Sequence, residues 1–267
     1  MKRIITLLTD FGLKDTYVAE MKAAIYSINP EAIIVDMTHE IERHNIRQAA
    51  FILRESSRYF PEGTIHVTVV DPGVGSKCQK PLIVETGKYI FIGPDNGVLY
   101  PAAIENKLKK VYAITPDEIV KYTGRKISRT FHGRDIYAPT AALISKGIPI
   151  DEIAQEVADF IKLELKDATR ENDIIIGEVL YIDHFGNLIT NVREEMIPEN
   201  CRKLTIEVHG RSIEIPIVES YSEVQPGEKL AIIGSKGFLE ISINLGNAAE
   251  FFVLREGEKF KIKLHEI

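Results

Sequence analysis

The residues best suited to chemistry lie around one histidine, in the stretch Thr-Phe-His-Gly-Arg-Asp at 130–135. His132 titrates near neutral pH and is flanked by a glycine, so it could act as a general acid or base. Asp71 ends an apolar run and lies at the carboxyl end of a predicted strand, where open α/β sheets bind ligands. A carboxylate and an imidazole in one pocket can orient and deprotonate water. Asp71 and His132 are therefore the predicted catalytic residues, although the Arg-Asp pair after the histidine could equally be a structural ion pair.

Two loops of the first half could bind a ligand. Asp10 follows the apolar run 4–8, and its carboxylate could accept hydrogen bonds from the hydroxyls of a ribose or cap the following turn. The stretch 71–76 contains two glycines, so its backbone can approach a ligand closely. It lacks the Gly-Lys-Ser/Thr ending of a phosphate loop, and a tight turn between strands is the alternative.

Two loops of the second half offer recognition groups. In the motif Asp-His-Phe-Gly-Asn, Phe185 could stack on a heterocycle, and the amide of Asn187 could pair with its edge. The alternative is a β-turn that uses Asn and Gly for positive φ. In the motif Gly-Ser-Lys-Gly, Ser235 and Lys236 offer a hydroxyl and a cation to an anion such as a carboxylate, and a hairpin turn is the alternative.

The composition narrows the class of protein. The 267 residues include 45% hydrophobic and 27% charged residues, as in soluble globular proteins. The net charge of -6 argues against a nucleic-acid partner. Cys78 and Cys201 form no Cys-x-x-Cys pair, so we expect no disulfide framework and no structural metal. No apolar stretch approaches the roughly 18 residues that span a bilayer, and no signal peptide is evident, so we predict a cytoplasmic protein without a membrane partner.

The elements that must position these residues form two domains. Strand-like and helix-like segments alternate over 1–168, which predicts an α/β domain with a largely parallel sheet. Its predicted strands are 4–8, 32–36, 64–70, 81–85 and 89–92, and its predicted helices are 15–28, 45–59, 96–104 and 138–146.

A polar stretch at 167–173 is interpreted as a linker. Short β-like segments follow it, with turn signals such as Pro-Gly and His-Gly between them. They predict a second domain over 174–267, folded as a small antiparallel β-barrel or sandwich. The segments are 174–182, 188–192, 203–208, 211–216, 229–233, 239–243 and 259–264.

Six motifs in this order resemble the S-adenosyl-L-methionine (SAM) hydroxide adenosyltransferases, adenosine-forming SAM hydrolases related to fluorinase and chlorinase. Six ordered motifs over nearly the whole chain are far more specific than any one of them. The resemblance implies an N-terminal α/β domain, a C-terminal β-barrel and a homotrimer that binds SAM between the N-terminal domain of one subunit and the C-terminal domain of its neighbour. The motifs lie at 9–12, 70–76, 93–97, 131–135, 183–191 and 234–237.

The resemblance also implies roles for single residues. SAM is the substrate, and no cofactor is implied. Asp10 would hold the ribose hydroxyls, and Asp183 and Ser235 would bind the amine and the carboxylate of the methionine end. The residues implied around adenine are Phe185, Asn187, Tyr221 and the backbone of Asn247 and Ala248.

The water-activating set of the family is an Asp, an Arg and a His, and this chain departs from it. Asp71 and His132 match the first and third members. A simple count puts Cys78 at the arginine position, whereas a one-residue insertion would let Lys80 supply the cation, and Lys77 is another possibility. We take Lys80 as the predicted third member, although a lysine lacks the planar fork that fixes a carboxylate.

The reaction that the resemblance implies is attack of an oriented water on C5′ of SAM, giving adenosine and L-methionine. Asp71 disfavours a halide, because two negative charges about 4 Å apart repel by roughly 4 kcal/mol at an effective dielectric near 20. Gly133 also leaves the pocket without a side-chain hydroxyl for a halide. The alternatives are a SAM- or nucleoside-binding sensor with little catalysis, a SAM-dependent halogenase, and a structural protein without a ligand.

Overall fold

The computed structural model describes residues 3–76 and 79–265. The chain divides into two compact units, residues 1–165 and 166–267. The stretch 167–173, which was predicted as a linker, contains a short strand of the second unit, Thr169–Glu171. No helix in the described ranges is both long and apolar enough to cross a membrane.

The first unit is a seven-stranded sheet with helices on both faces. Strands β2, β1, β3 and β5 lie side by side and are parallel, whereas β4, β6 and β7 continue the sheet in antiparallel pairings, so the sheet is mixed. Its strands are β1 (Ile4–Thr9), β2 (Ile33–Thr38), β3 (Ile65–Val69), β4 (Pro81–Thr86), β5 (Ile90–Pro94), β6 (Leu108–Ile114) and β7 (Ala154–Val157). Its helices are α1 (Tyr17–Ile28), α2 (Ile46–Ser57), α3 (Tyr100–Glu105), α4 (Pro116–Thr123) and α5 (Ala138–Ser145).

The central strands of this sheet are buried on both faces. All five residues of β3 are buried, as a parallel strand covered by helices on both sides requires. One core packs α1 and α5 against the sheet, and a second core packs α2 and α3 against it. Helix α2 begins after Asn45, whose side chain accepts a hydrogen bond from the backbone N–H of Gln48 and so caps the helix. The predicted α/β class is confirmed.

The second unit is a closed barrel of seven strands. The strand order is β10, β14, β13, β12, β11, β15 and β9, and the pairing of β9 with β10 closes it. The β12–β13 pair is parallel and the other pairs are antiparallel, so the predicted barrel is confirmed with one parallel exception. The elements are β8 (Thr169–Glu171), β9 (Ile174–Ile182), β10 (Leu188–Arg193), β11 (Lys203–Val208), β12 (Arg211–Val218), β13 (Lys229–Ile233), β14 (Phe238–Ile243), α6 (Ala248–Phe252) and β15 (Lys259–His265).

Candidate functional site

A cavity of about 360 Å³ opens at the carboxyl ends of β1 and β3, and Asp10, Asp71 and His132 are among the residues that line it. The two strands are parallel neighbours whose last residues, Thr9 and Val69, are paired. Asp10 follows β1 directly and Asp71 lies two residues beyond β3, so the sheet brings both carboxylates to one edge. The three residues that the sequence predicted for this end of the sheet therefore share one cavity.

The carboxylate of Asp71 is surrounded by neutral donors. Its Oδ1 accepts a hydrogen bond of 2.8 Å from Nε2 of Gln79, and its Oδ2 accepts a longer one of 3.4 Å from the Tyr137 hydroxyl. The backbone N–H of Gly73 also donates to it. Burial raises the pKa of Asp71, and the nearby imidazole of His132 works in the opposite direction. The raised pKa makes Asp71 a stronger base than an exposed carboxylate.

His132 immediately precedes a π-helical turn, Gly133–Tyr137, that leads into α5. The guanidinium of Arg134 does not line the cavity, because it donates to Asp135 at 2.7 Å and to Glu20 at 2.8 Å. Asp135 also accepts the backbone N–H of Ser128 at 2.8 Å. The Arg-Asp pair after the histidine is thus a structural ion pair, and it fixes the turn that presents His132.

Asp10 accepts a hydrogen bond from a loop distant in sequence and does not cap the turn that follows it. Its Oδ2 accepts the backbone N–H of His44 at 2.9 Å, and its side chain is only 9% exposed. The following turn is instead bonded by Thr9, whose Oγ1 accepts the N–H of Phe11 at 3.3 Å. Within the described residues Asp10 makes no hydrogen bond through Oδ1, so this oxygen can accept one from a ligand hydroxyl.

Three aromatic rings form an apolar wall of the cavity. The rings of Phe11, Tyr17 and Phe131 lie 5.2 to 5.8 Å apart in tilted or edge-to-face contacts. Gly133 packs behind them, because an added Cβ would come within 3.1 Å of the Phe131 ring and 3.2 Å of the Met21 sulfur. The wall makes one side of the cavity apolar, and a side chain at position 133 would require the Phe131 ring and the Met21 sulfur to shift by a few tenths of an ångström.

A separate cavity of about 560 Å³ lies in the second unit, and Asp183, Phe185, Asn187 and Tyr221 are among its lining residues. The β9–β10 loop is a turn built on Asp183, whose Oδ1 accepts the backbone N–H groups of Phe185 and Asn187, each at 2.9 Å. Its Oδ2 accepts Nδ2 of Asn187, also at 2.9 Å. This turn leaves the Phe185 ring 74% exposed, so the turn and a stacking role are compatible.

Glu240 bonds one of the residues that line this second cavity. The Tyr221 hydroxyl donates to Oε2 of Glu240 at 3.2 Å. Burial raises the pKa of Glu240, and the charge of Asp183 acts in the same direction. Glu240 lies against Gly234, where any Cβ would overlap its carboxylate.

Comparison with known proteins decides the family. The SAM hydroxide adenosyltransferase N-terminal domain matches residues 5–154, and the C-terminal domain of the same family matches residues 177–261. The chain belongs to the SAM hydroxide adenosyltransferase family. A relative from Thermus thermophilus, named (R)-S-adenosyl-L-methionine hydrolase, is 34% identical over 96% of this chain and 97% of its own length. A fluorinase from Nocardia brasiliensis is 26% identical over 98% of this chain and 97% of its own.

A solved structure has a fold similar to that of this chain. The crystal structure of an uncharacterized conserved protein from Thermotoga maritima has a TM-score of 0.90 and 36% sequence identity, and it covers 97% of this chain and 99% of its own.

Several residues predicted for this adenosyltransferase-family site lie outside the two cavities. Ser235 is exposed and Lys236 half-buried in the β13–β14 turn. Asn247 caps α6 by accepting the backbone N–H of Glu250 at 3.0 Å, and Ala248 is fully buried. Helix α6 is tied to the β9–β10 loop, because the N–H of Ala249 donates to the Gly186 carbonyl at 3.0 Å.

The cation predicted for the arginine position of the family is not found beside Asp71 in the described chain. Lys80 is exposed and does not line the cavity, and its carbonyl accepts the backbone N–H of Asp95 at 2.9 Å. Lys77 and Cys78 lie outside the described residues. Gln79, which the sequence reasoning passed over, is the residue whose side chain bonds Asp71.

Other functional neighbours were also missed. Tyr137, Glu240 and the His44 backbone each contact a predicted site residue from a distant point in the chain. Of the three, only Tyr137 has a local signal in the sequence, because it lies two residues after the Phe-His-Gly-Arg-Asp motif. In the two described ranges, no group of three His, Cys, Asp or Glu side chains could hold a metal ion.

Proposed function

We propose that this chain hydrolyses SAM to adenosine and L-methionine by attack of water on C5′. The observation that carries the proposal is the shared cavity of Asp71, His132 and Asp10 at the ends of two parallel strands. The hydrolase name of a relative that is 34% identical over almost the full chain supports the same reaction.

The proposed step is an in-line substitution at carbon. The water oxygen forms a bond to C5′ while the C5′–S bond breaks and its electron pair leaves with sulfur, so that methionine departs as a neutral thioether. One water proton passes to Asp71 or His132 and then to solvent. Because the sulfonium is already a good leaving group, we propose no acid for its expulsion and no cofactor. The work of the protein is to align water behind C5′ and exclude competing solvent.

We propose that the two cavities bind different parts of SAM. The free Oδ1 of Asp10 supports a bond to the ribose hydroxyls, and the exposed ring of Phe185 supports stacking on adenine. Asn187 and Tyr221, with the Asn247–Ala248 backbone, complete the proposed adenine pocket. Asp183, Ser235 and Lys236 are the proposed partners of the methionine amine and carboxylate.

We also propose that the protein is a homotrimer whose sites each combine residues of two subunits. Phe185 is 74% exposed and Leu245 is 89% exposed in the single chain, and both line the cavity of the second unit. Exposed apolar side chains beside a cavity are typical of an interaction surface. Light scattering coupled to gel filtration tests the proposal, and a mass three times that of the chain is expected.

The decisive experiment is product analysis. Purified protein is incubated with SAM of each sulfonium configuration, with and without excess chloride or fluoride, and nucleosides and methionine are separated by chromatography. We expect adenosine and methionine in equal amounts, no halogenated nucleoside, and preference for the (R) form that the relative is named for. A dominant 5′-halo-nucleoside would indicate a halogenase, and calorimetric SAM binding without methionine release would indicate a sensor.

A further inference from the structure

Among the described residues, Gln79 makes the shortest side-chain hydrogen bond to Asp71. Its Nε2 donates to Oδ1 of Asp71 at 2.8 Å, whereas the Tyr137 hydroxyl lies at 3.4 Å from Oδ2, near the limit of a hydrogen bond. Gln79 lies in the loop between β3 and β4 and is half-buried. A carboxylate has about four acceptor positions, and the Gly73 N–H is a third donor, so one position remains for a water while these bonds persist.

We propose that Gln79 is a positioning residue for the hydrolysis: its neutral amide holds the Asp71 carboxylate in the orientation that directs a lone pair at the attacking water. The proposal rests on the proposed function and assigns to an amide the place in which the sequence suggested a cation. Gln79 acts through Asp71.

The β3–β4 loop leaves space for the Gln79 amide at Gly73. The three heavy atoms nearest to a Cβ added at Gly73 would all belong to Gln79, and that Cβ would overlap Oε1. The amide therefore occupies its position only because residue 73 has no side chain. The N–H of Gly73 also donates to the Asp71 carboxylate, so one turn of the loop supplies a donor and the space for a second donor.

A neutral donor and a cation beside Asp71 differ in how strongly they change the pKa of its carboxylate. A guanidinium beside Asp71 would stabilise the carboxylate and lower its pKa, and a less basic carboxylate accepts a proton less readily. The Gln79 amide also lowers the pKa of Asp71, but it is the smallest of the causes, and burial, the largest, keeps the pKa raised. A Gln79→Arg variant should therefore move the acidic limb of the kcat/KM profile to lower pH, because Asp71 would stay deprotonated to a lower pH.

A double-mutant cycle tests the contact itself. Gln79→Ala is expected to lower kcat by roughly tenfold to a hundredfold, the size expected for a misplaced catalytic group, with a smaller change in KM. Gly73→Ala should produce a similar loss in the parent chain, because its Cβ displaces the amide. In the Gln79→Ala background it should cost less than about twofold, since the displaced atoms are already gone.

Matched controls separate positioning from a general effect on the fold. Gln155 is exposed on strand β7 of the same unit and serves as the control position. Gln155→Ala and Gln155→Arg should leave both kcat and the pH profile unchanged. Thermal melting of every variant identifies losses that come from unfolding, and the pH limb of Gln79→Arg reports on Asp71 even if its kcat falls.

The possible outcomes separate a failure of the proposed Gln79 role from a failure of the proposed SAM hydrolysis. An active parent chain whose Gly73→Ala loss is the same in both backgrounds overturns the role of Gln79 alone. A lower kcat in Lys80→Gln together with full activity in Gln79→Ala also overturns the role of Gln79. That result would support Lys80 as the third member of the water-activating set. A parent chain that releases no methionine from SAM overturns the proposed function and this role with it.

Discussion

The backbone N–H of His44 donates a 2.9 Å hydrogen bond to the carboxylate of Asp10, 34 residues earlier in the chain. His44 has φ of 66°, in the left-handed region that costs an L-residue roughly 1–2 kcal/mol. Its imidazole is 71% exposed and lies 3.9 Å from the same carboxylate oxygen. The anchor of Asp10 is thus a backbone group in a strained conformation, and a glycine at position 44 can supply the same N–H without strain.

A pair of substitutions at His44 measures this strain. His44→Gly and His44→Ala both remove the imidazole, but only alanine must hold the left-handed conformation with a Cβ. We expect the alanine variant to be less stable than the glycine variant by about 1 kcal/mol, as measured by urea unfolding. Both variants should keep a similar KM for SAM, because both retain the N–H. Equal stability of the two would show that the left-handed conformation costs nothing here.

Replacing Asp71 by asparagine separates catalysis from binding. Asparagine keeps the side-chain shape and an acceptor for Gln79 but cannot take a proton or orient water as a carboxylate does. We expect kcat to fall by roughly a hundredfold to ten-thousandfold, the contribution of a general base, with little change in the Kd for SAM measured by calorimetry. Unchanged turnover in Asp71→Asn would remove Asp71 from the mechanism.

The same substitution should affect stability with a defined pH dependence. Because the pKa of Asp71 is raised in the folded protein, the folded state holds this proton more tightly than the unfolded state. Its contribution to stability is therefore greatest below the unfolded pKa and declines as pH rises through the folded pKa. We expect the melting temperature of Asp71→Asn, relative to the parent, to be higher at pH 7 than at pH 4. A difference that is constant with pH would contradict the raised pKa.

Phe185 is the side chain to change at the proposed adenine site. Its ring is 74% exposed, so its removal should hardly alter folding. Stacking of a base on an aromatic ring contributes about 1–3 kcal/mol, and Phe185→Ala should therefore weaken SAM binding by roughly fivefold to a hundredfold in calorimetry. Phe185→Tyr keeps the ring and serves as the control. Equal affinities of the alanine and tyrosine variants would argue against stacking.

Sequence reasoning located the parts of the site that depend on where strands end. Asp10 and Asp71 each follow an apolar run closely, and parallel pairing then brings them to the same edge. The bonds from Gln79 and from the His44 backbone were missed, because they depend on loop conformations rather than on periodicity.

Some elements were missed for different physical reasons. Strand β6 (Leu108–Ile114) carries two adjacent lysines, so it lacks the continuous apolar run that indicates β1 and β3 in the sequence. Helix α4 had a usable signal in Pro116 at its first position and two acids in its first turn, and this signal was overlooked. The predicted helix 96–104 begins only at Tyr100, because Gly97 has φ of 92°. The parallel β12–β13 pair is a long-range feature that no local pattern encodes.

A buried histidine in the first unit should control stability in acid. His66 on β3 is fully buried; its Nδ1 bonds the Thr6 hydroxyl at 2.7 Å, and its ring stacks on Phe91 at 5.2 Å. Burial lowers the pKa of His66 from 6.5 to about 3. Between these two values the unfolded chain binds a proton that the folded chain does not, so stability is complete above pH 6.5 and falls as pH decreases toward 3.

The expected slope is that of one proton, about 1.4 kcal/mol of unfolding free energy for each pH unit within that interval. His66→Phe removes the titrating group, so urea unfolding of this variant at pH 5 and pH 7 should show a pH dependence smaller by one proton. Tyr89→Phe is the matched control: it keeps the ring that packs 5.0 Å from His66 but loses the hydroxyl that donates to the Phe60 carbonyl. It should lower stability by about 1 kcal/mol at both pH values and leave the slope intact. An unchanged slope in His66→Phe would mean that the proton is taken up elsewhere in the unfolded chain.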